Sequence, residues 1–153
     1  MSNPKATFES NSNLEILLAL AIKIAHQAHA GQLDKAGKPY IAHPLTVMAQ
    51  MDTVESKIVA VLHDAIEDSA LKISDLVRQG FPTYITDEIA AITKVDGEIY
   101  EEYIVRVKSN AIARQVKIAD VSHNMDLSRI ANPTTKDFQR LEKYQRVLQE
   151  LQQ

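Results

Sequence analysis

Apolar residues recur at helical spacing along most of this chain, and that pattern constrains the fold more than any other feature. Residues three and four apart share one face of an α-helix, and such a face is formed by Leu14, Leu17, Leu18, Ala21, Ala25 and Ala28. No segment combines the length, the alternation and the turn residues of a β-hairpin. The sequence therefore predicts an all-α, single-domain helical bundle.

The bounds of the predicted helices come from residues that begin or end a helix. Ser12 and Glu15 have capping-box spacing and predict the start of the first helix, and Gly31 suits its end. We expect residues 1–12 to form a flexible tail and residues 13–153 the folded domain. A loop over 32–43 follows, and further helices are predicted at about 44–51, 54–67, 73–78, 82–92, 98–108, 111–126 and 136–153.

Composition excludes several classes of function. The 153 residues fit one domain, and a net charge of −3 gives no basic footprint for duplex nucleic acid. Without cysteine, disulfides, thiolate nucleophiles and cysteine-ligated zinc are excluded. The longest apolar stretch, residues 14–25, is interrupted by Glu15 and Lys23, so no membrane partner is expected. With no secretory signal in residues 1–13, these features predict a cytoplasmic protein.

The segment His63-Asp64-x-x-Glu67-Asp68 is the strongest chemical signal. On a helix, His63 and Glu67 lie one turn apart, as do Asp64 and Asp68, so four polar groups would share one side of an apolar helix. Burying them is costly without a partner, and a divalent cation is a natural one. The alternative is a solvated helix end that carries a run of surface charge.

Two further positions complete a candidate metal site. His43 lies at a loop-to-helix junction, and Asp120 lies on a predicted helix with Lys117 and Asn124 on the same face. Taken singly, each has a structural alternative. His43 beside Pro44 could simply begin a helix, and Asp120 could be the salt-bridge partner of Lys117.

Two imidazoles and two carboxylates form a mixed nitrogen and oxygen site that suits Mn²⁺, Fe²⁺ or Zn²⁺ better than Ca²⁺. A metal there would leave room for water and a phosphoryl oxygen. Glu67 and Asp68 are then candidates to activate the water and to protonate the leaving group. Lys117 and Asn124 are candidates to hold phosphate or sugar oxygens, and the loop 32–35 could close over a substrate.

Other polar and aromatic residues are given structural interpretations. His26 and His29 are expected at a solvated helix end or behind the ligands, and His123 is expected to point away from the site. Arg129 and Arg140 are interpreted as solvated helical surface. Tyr144 is interpreted as a packing or surface residue.

These motifs resemble the HD superfamily, and in particular the hydrolase domain of RelA/SpoT-type alarmone enzymes and their stand-alone small versions. The matching segments are Ala28–Gln32, Gly37–Pro44, His63–Asp68, Lys117–Asp120 and Asn124-Met125. The resemblance covers about residues 14–130 and implies an all-α HD-type bundle. It implies removal of the 3′-pyrophosphate from a guanosine alarmone, usually with Mn²⁺.

The resemblance also implies roles for individual residues. His43, His63, Asp64 and Asp120 become the metal ligands, and Glu67 and Asp68 become the pair that activates water. Asn124 is implied at the nucleotide, and Lys35 is implied near the substrate.

Two positions depart from the family pattern. Alarmone hydrolases usually carry adjacent basic residues where this chain has Asp34-Lys35, and they often read Asn-Met-Arg-Thr where this chain has Asn124-Met125-Asp126-Leu127. Both changes remove positive charge near the expected nucleotide.

The leading hypothesis is hydrolysis of ppGpp to GDP and pyrophosphate at one Mn²⁺-like centre. The alternatives are an HD phosphohydrolase for another nucleotide, such as an adenine alarmone or a nucleoside monophosphate, and a nucleotide sensor without turnover.

Overall fold

Eight α-helices and one 3-10 turn account for the regular structure of residues 4–153, the range that this computed structural model describes, with side chains described from residue 13. In that range the only extended pairing is an isolated bridge between Leu33 and Pro39. The predicted all-α class is therefore confirmed. The helices are α1 (Pro4–Ala28), α2 (Ala42–Ala49), α3 (Val54–Leu62), α4 (Ile73–Arg78), α5 (Thr83–Ile92), α6 (Tyr100–Lys108), α7 (Ala111–Asn124) and α8 (Thr135–Gln152), and the 3-10 turn is Leu127–Arg129.

Helix α3 is the centre of the core. Its residues from Ile58 to Leu62 are fully buried, because α1, α2, α5 and α7 all pack against it. A helix that is apolar on every side is stable only when neighbours cover it completely. The polar residues that follow Leu62 therefore emerge from the middle of the protein rather than from its surface.

Local hydrogen bonds set where the two helices nearest the site begin. Thr53 Oγ1 accepts from the Ser56 backbone N–H at 3.1 Å, and Ser56 Oγ accepts from the Thr53 N–H at 3.3 Å. This reciprocal capping box starts α3. Asn110 caps α7 by accepting from the Ala113 N–H at 3.0 Å. These caps fix the registers of α3 and α7, which carry His63 and Asp120 to the site.

Two predicted helix bounds were wrong by more than a helical turn. Helix α1 begins at Pro4, eight positions before Ser12, and proline is well accommodated in a first helical turn because it has no N–H to leave unpaired. Residues 1–3 lie outside the described range. The predicted division into a flexible tail, residues 1–12, and a folded domain, residues 13–153, stays a prediction.

Helix α3 ends at Leu62, whereas the spacing of His63, Asp64, Glu67 and Asp68 predicted that it continues to Glu67. Residues 63–68 form consecutive turns instead. The His63 ring Nδ1 bonds the Ala60 carbonyl oxygen at 2.5 Å, and the His63 N–H reaches the same oxygen at 3.4 Å. The Ala65 N–H bonds Leu62 at 3.1 Å in the tighter 3-10 pattern. These hydrogen bonds draw the His63 side chain toward Ala60, and tight turns over 63–68 take the place of the last predicted turn of α3.

None of the helices within residues 4–153 is both long enough and apolar enough to cross a membrane.

Glu88 on α5 gives the fold a measurable pH dependence. Burial and the nearby Glu55 carboxylate raise its pKa from 4.5 to about 7, and its Oε2 is buried without a hydrogen-bond partner among the described residues. Because the folded-state pKa of Glu88 is raised, its carboxyl leaves the free energy of unfolding unchanged below about pH 4.5. As the pH rises from about 4.5 to about 7, the carboxyl lowers that free energy progressively. Glu88→Gln should therefore raise the free energy of unfolding at pH 8 by about 1 kcal/mol after allowance for solvent screening.

Urea unfolding at pH 5 and pH 8 measures this effect, with the exposed Glu142→Gln as the matched control. The gain from Glu88→Gln should be larger at pH 8 than at pH 5. An equal effect at both values would contradict the assignment.

Candidate functional site

One donor atom from each of His43, His63, Asp64 and Asp120 lies within 4.8 Å of the other three. His43 Nε2 is 2.8 Å from Asp120 Oδ1, and His63 Nε2 is 3.0 Å from Asp64 Oδ2. His63 Nε2 lies 3.3 Å from Asp120 Oδ1, and His43 Nε2 lies 3.7 Å from Asp64 Oδ2. The four residues chosen from the sequence as metal ligands are thus brought together.

Three structural elements deliver these side chains. His43 lies in the first turn of α2, His63 and Asp64 follow the end of α3, and Asp120 lies on the inner face of α7. His43 and His63 are 2% exposed and Asp120 is 4% exposed. Such burial requires that every charge and lone pair in the cluster meets a partner.

The charges in the cluster perturb one another strongly. Burial opposes protonation of His63, but the Asp64 and Asp120 carboxylates outweigh it and hold the pKa of His63 well above its usual value. Burial likewise opposes ionisation of Asp120, but Lys117 and His63 hold the pKa of that carboxyl well below its usual range. The centre therefore keeps its carboxylates ionised and attracts positive charge.

A divalent metal ion fits this donor set. His63 Nδ1–H donates to the Ala60 carbonyl oxygen, so Nε2 is the ring atom directed at the two carboxylate oxygens. The raised pKa of His63 keeps a proton on Nε2 between these groups when no metal is bound, and a divalent cation would take the place of that proton. Two imidazole nitrogens and two carboxylate oxygens are ligands typical of Mn²⁺, Fe²⁺ and Zn²⁺.

Neighbouring polar groups hold the two carboxylates in place. Tyr40 donates its hydroxyl to Asp64 Oδ2 at 2.6 Å, and Asn124 Nδ2 donates to Asp120 Oδ1 at 3.2 Å. Lys117 Nζ is 3.0 Å from Asp120 Oδ2. The predicted alternative, a salt bridge between Asp120 and Lys117, is therefore confirmed, and it coexists with the convergence on His43 and His63 rather than replacing it.

Glu67 and Asp68 lie beside the cluster in the turns after α3, exposed to solvent. Loss of hydration raises the pKa of both carboxyls, and the Asp64 charge raises them further. Glu67 Oε1 also accepts from the Lys94 backbone N–H. Their predicted part in water activation stays a prediction, and a raised pKa makes the ionised form of each carboxyl a better proton acceptor.

A cavity of about 350 Å³ opens next to His43. Lys35 and Asn124, both predicted to contact substrate, line it together with Arg129, Arg140 and Tyr144. Lys117 lies elsewhere, between Asp120 and the Tyr103 ring, whose centroid is 5.3 Å from Nζ. Its predicted contact with substrate stays a prediction.

The two acids that depart from the family pattern have local structural contacts. Asp34 Oδ1 accepts from the Ala36 and Lys38 N–H groups, both at 2.9 Å. Asp126 Oδ1 accepts from the Ser128 N–H at 3.0 Å. Both carboxylates therefore stabilise turns. The cavity wall also carries two cations from the C-terminal part of the chain, Arg129 and Arg140.

Four residues near the centre were misinterpreted from the sequence. His123 was expected to point away, but its ring lies nearly parallel to the His43 ring, with Nδ1 atoms 2.7 Å apart and centroids 5.0 Å apart. It follows Asp120 by three residues on α7, and this spacing is a signal that could have identified it. The cavity is lined by Arg129, Arg140 and Tyr144, which were interpreted as surface or packing residues. Their approach depends on the turn between α7 and α8, for which the sequence shows no pattern.

Lys117 tests how strongly the centre depends on paired charge. Lys117→Met removes the cation nearest Asp120 Oδ2 while keeping much of the side-chain volume. Breaking a buried ion pair by removing one partner should lower the free energy of unfolding by roughly 3 kcal/mol. Urea unfolding of the metal-free protein measures this loss, and Lys136→Met, at an exposed position of α8, should change stability by less than about 0.5 kcal/mol. Equal effects of the two substitutions would contradict the pairing.

Comparison with known proteins supports the resemblance seen in the motifs. A "Probable GTP pyrophosphokinase" of Mycobacterium leprae is 32% identical over 139 residues, which cover 82% of this chain and 17% of that protein. The "Bifunctional (p)ppGpp synthase/hydrolase SpoT" of Escherichia coli K12 is 30% identical over 123 residues, covering 71% of this chain and 17% of that protein. The chain thus spans about a sixth of the length of these relatives. No protein-family model matches it.

A solved structure shares the fold. It is described as "a metazoan ortholog of SpoT" that "hydrolyzes ppGpp", and it superposes with a TM-score of 0.72 at 18% sequence identity. The superposition covers 88% of this chain and 84% of that one. The chain therefore resembles part of the RelA/SpoT-type enzymes in sequence and the metazoan SpoT ortholog in fold.

Proposed function

We propose that this protein is a metal-dependent phosphohydrolase that removes pyrophosphate from the 3′ position of ppGpp and releases GDP. The convergence of His43, His63, Asp64 and Asp120 carries this proposal, because a buried set of two imidazoles and two carboxylates has few uses other than holding a cation. The names of the relatives and of the structural neighbour support the choice of substrate.

We propose His43, His63, Asp64 and Asp120 as the ligands of one divalent cation, with Mn²⁺ as the preferred ion and Fe²⁺ or Zn²⁺ compatible with the same donors. When bound, the metal would acidify a water molecule and polarise the phosphoryl group. Tyr40 and Asn124 keep the carboxylate oxygens oriented through the hydrogen bonds described above. Asp120 stays ionised beside Lys117 and so keeps its lone pairs available.

Proton transfer is assigned to the exposed pair Glu67 and Asp68. Loss of hydration and the Asp64 charge raise the pKa of both carboxyls, which makes each a better proton acceptor when ionised. One of the pair takes a proton from the attacking water, and the other supplies a proton to the leaving 3′-oxygen. Because both groups lie beside Asp64 in the same run of turns, this transfer takes place at the edge of the centre rather than in the core.

The nucleotide is assigned to the cavity beside His43. A volume of about 350 Å³ lies within the usual range for small-molecule sites. Lys35, Arg129 and Arg140 bring positive charge to its wall, and Asn124 connects the cavity to Asp120. Phosphate groups of the substrate pair with these cations, while Tyr144 and Ile130 offer apolar surface to the nucleoside.

Metal binding should be measurable without any substrate. At a Mn²⁺ concentration of 100 Kd the folded state gains about 2.7 kcal/mol, which corresponds to a rise in Tm of roughly 8 °C for a chain of this size. Asp64→Asn should abolish most of this rise because it removes a charged ligand. The control Asp87→Asn changes an exposed carboxylate on α5 and should leave the rise intact. A metal-independent Tm in the wild-type protein would reject the metal centre.

Hydrolysis is tested by release of phosphate and pyrophosphate from ppGpp, ppApp and common nucleotides in the presence of Mn²⁺. Pyrophosphate should be released from ppGpp, and Glu67→Gln should lower kcat by about 10²- to 10⁴-fold while the Mn²⁺ Kd stays near the wild-type value. Glu142→Gln on the exposed face of α8 serves as the control.

Three results would replace the proposal. Turnover of another nucleotide with silence on ppGpp would keep the mechanism and change the substrate. Tight binding of ppGpp without product would identify a sensor. A metal-loaded protein inert toward every phosphorylated nucleotide would reject hydrolysis altogether.

A further inference from the structure

The imidazole rings of His43 and His123 lie nearly parallel, 9° apart, with their Nδ1 atoms separated by 2.7 Å. Two lone pairs would repel at that distance, and two protons would clash. One proton must therefore lie between the two nitrogens, and one ring donates it to the other.

Arg129 determines which ring is the donor. Its Nη1 lies 3.2 Å from His123 Nδ1 and 3.2 Å from the His123 carbonyl oxygen. A guanidinium nitrogen can only donate, and the two N–H groups of Nη1 match these two acceptors on one residue. His123 Nδ1 must then present its lone pair, so the shared proton belongs to His43 Nδ1.

That proton position prepares His43 for its task at the centre. With Nδ1 protonated, Nε2 is the ring atom left for the metal, and it lies 2.8 Å from Asp120 Oδ1 and 3.7 Å from Asp64 Oδ2. Its lone pair would bind a cation placed between the ring and these carboxylates. His63 reaches the same state by donating its Nδ1–H to the Ala60 carbonyl oxygen. The two histidines therefore use different acceptors to direct the same ring atom at the same point.

We propose that His123 is a positioning residue for metal binding, because it accepts the Nδ1 proton of His43 and so directs His43 Nε2 at the cation. Arg129 keeps His123 in its accepting form. Asp34 Oδ2 lies 3.7 Å from Arg129 Nη2, so the loop that carries Asp34 is linked to the metal centre through Arg129 and His123. The proposal rests on the metal centre put forward above, and it assigns a role to a histidine that is not itself a ligand.

Proton positions test the proposal in the wild-type protein alone. Long-range ¹H–¹⁵N NMR spectra of the ¹⁵N-labelled full chain at pH 8 distinguish the two nitrogens of each ring. His123 should be neutral with its proton on Nε2, and His43 should carry a proton on Nδ1, both without metal and with the diamagnetic probe Zn²⁺. A proton on His123 Nδ1, or its absence from His43 Nδ1, would overturn the proposal. This result does not depend on turnover or on metal affinity.

Two substitutions separate hydrogen bonding from ring packing. His123→Phe keeps a ring against His43 but removes the acceptor, and it should weaken Mn²⁺ binding by about 10- to 100-fold in calorimetric titration. His123→Asn restores an accepting oxygen and should recover most of that loss. His26→Phe, at an exposed position of α1, is the matched control and should bind Mn²⁺ like the wild-type protein.

Wild-type affinity in His123→Phe, or equal weakening in His123→Phe and His123→Asn, would overturn the role as acceptor. If His123→Phe fails to fold, the wild-type NMR spectrum still decides the question. If the wild-type protein binds no Mn²⁺, the proposed metal centre fails, while the proton positions still report on His123 separately.

Discussion

The buried carboxylate of Asp120 is the group on which the rest of the site depends. Its Oδ1 meets His43, His63 and Asn124, and its Oδ2 meets Lys117. Removing such a carboxylate from water costs several kcal/mol unless nearby groups replace the lost hydration. The beginning of α2, the end of α3 and the middle of α7 therefore have to meet at this one side chain.

The same requirement explains why α3 stops where it does. From Ile58 to Leu62 the helix is apolar on every face, and it could continue only by placing His63 and Asp64 at helical positions. Bonding of the His63 ring to the Ala60 carbonyl oxygen instead turns the chain inward. Glu67 and Asp68 then emerge at the edge of the centre, where water and substrate have access. The candidate reactive groups thus follow directly after the buried helix α3, and the packing around α3 holds them in place.

Much of the fold could be predicted because the helices of a bundle carry their own periodicity. Helix α4 has the bounds that the sequence suggested, and α7 and α8 begin within one residue of them. The four residues of the candidate metal centre could be found because histidine and aspartate are rare inside apolar segments. Helical spacing gave the wrong geometry for residues 63–68, because the His63 ring bonds the Ala60 carbonyl oxygen and meets Asp120 on α7.

The surroundings of the centre were less predictable. The His123 ring bonds the His43 ring across 80 residues of sequence. Arg129 reaches His123 from a 3-10 turn, and no local sequence pattern specifies the direction of that turn. Asp34 illustrates the same limit. Its charge predicted a loss of nucleotide contacts, yet its carboxylate stabilises the loop and lies near Arg129 at the cavity wall. The charge of Asp34 is evident from the sequence, but the sequence does not show that Arg129 lies near it.

The central claim is that four side chains of this bundle hold one divalent cation. Anomalous diffraction at the manganese edge, from crystals of the wild-type protein grown with Mn²⁺, tests it most directly. The account predicts one strong peak within coordination distance of His43 Nε2, His63 Nε2, Asp64 Oδ2 and Asp120 Oδ1. No peak at that position, or a Lys117 or water network in its place at saturating Mn²⁺, would contradict it.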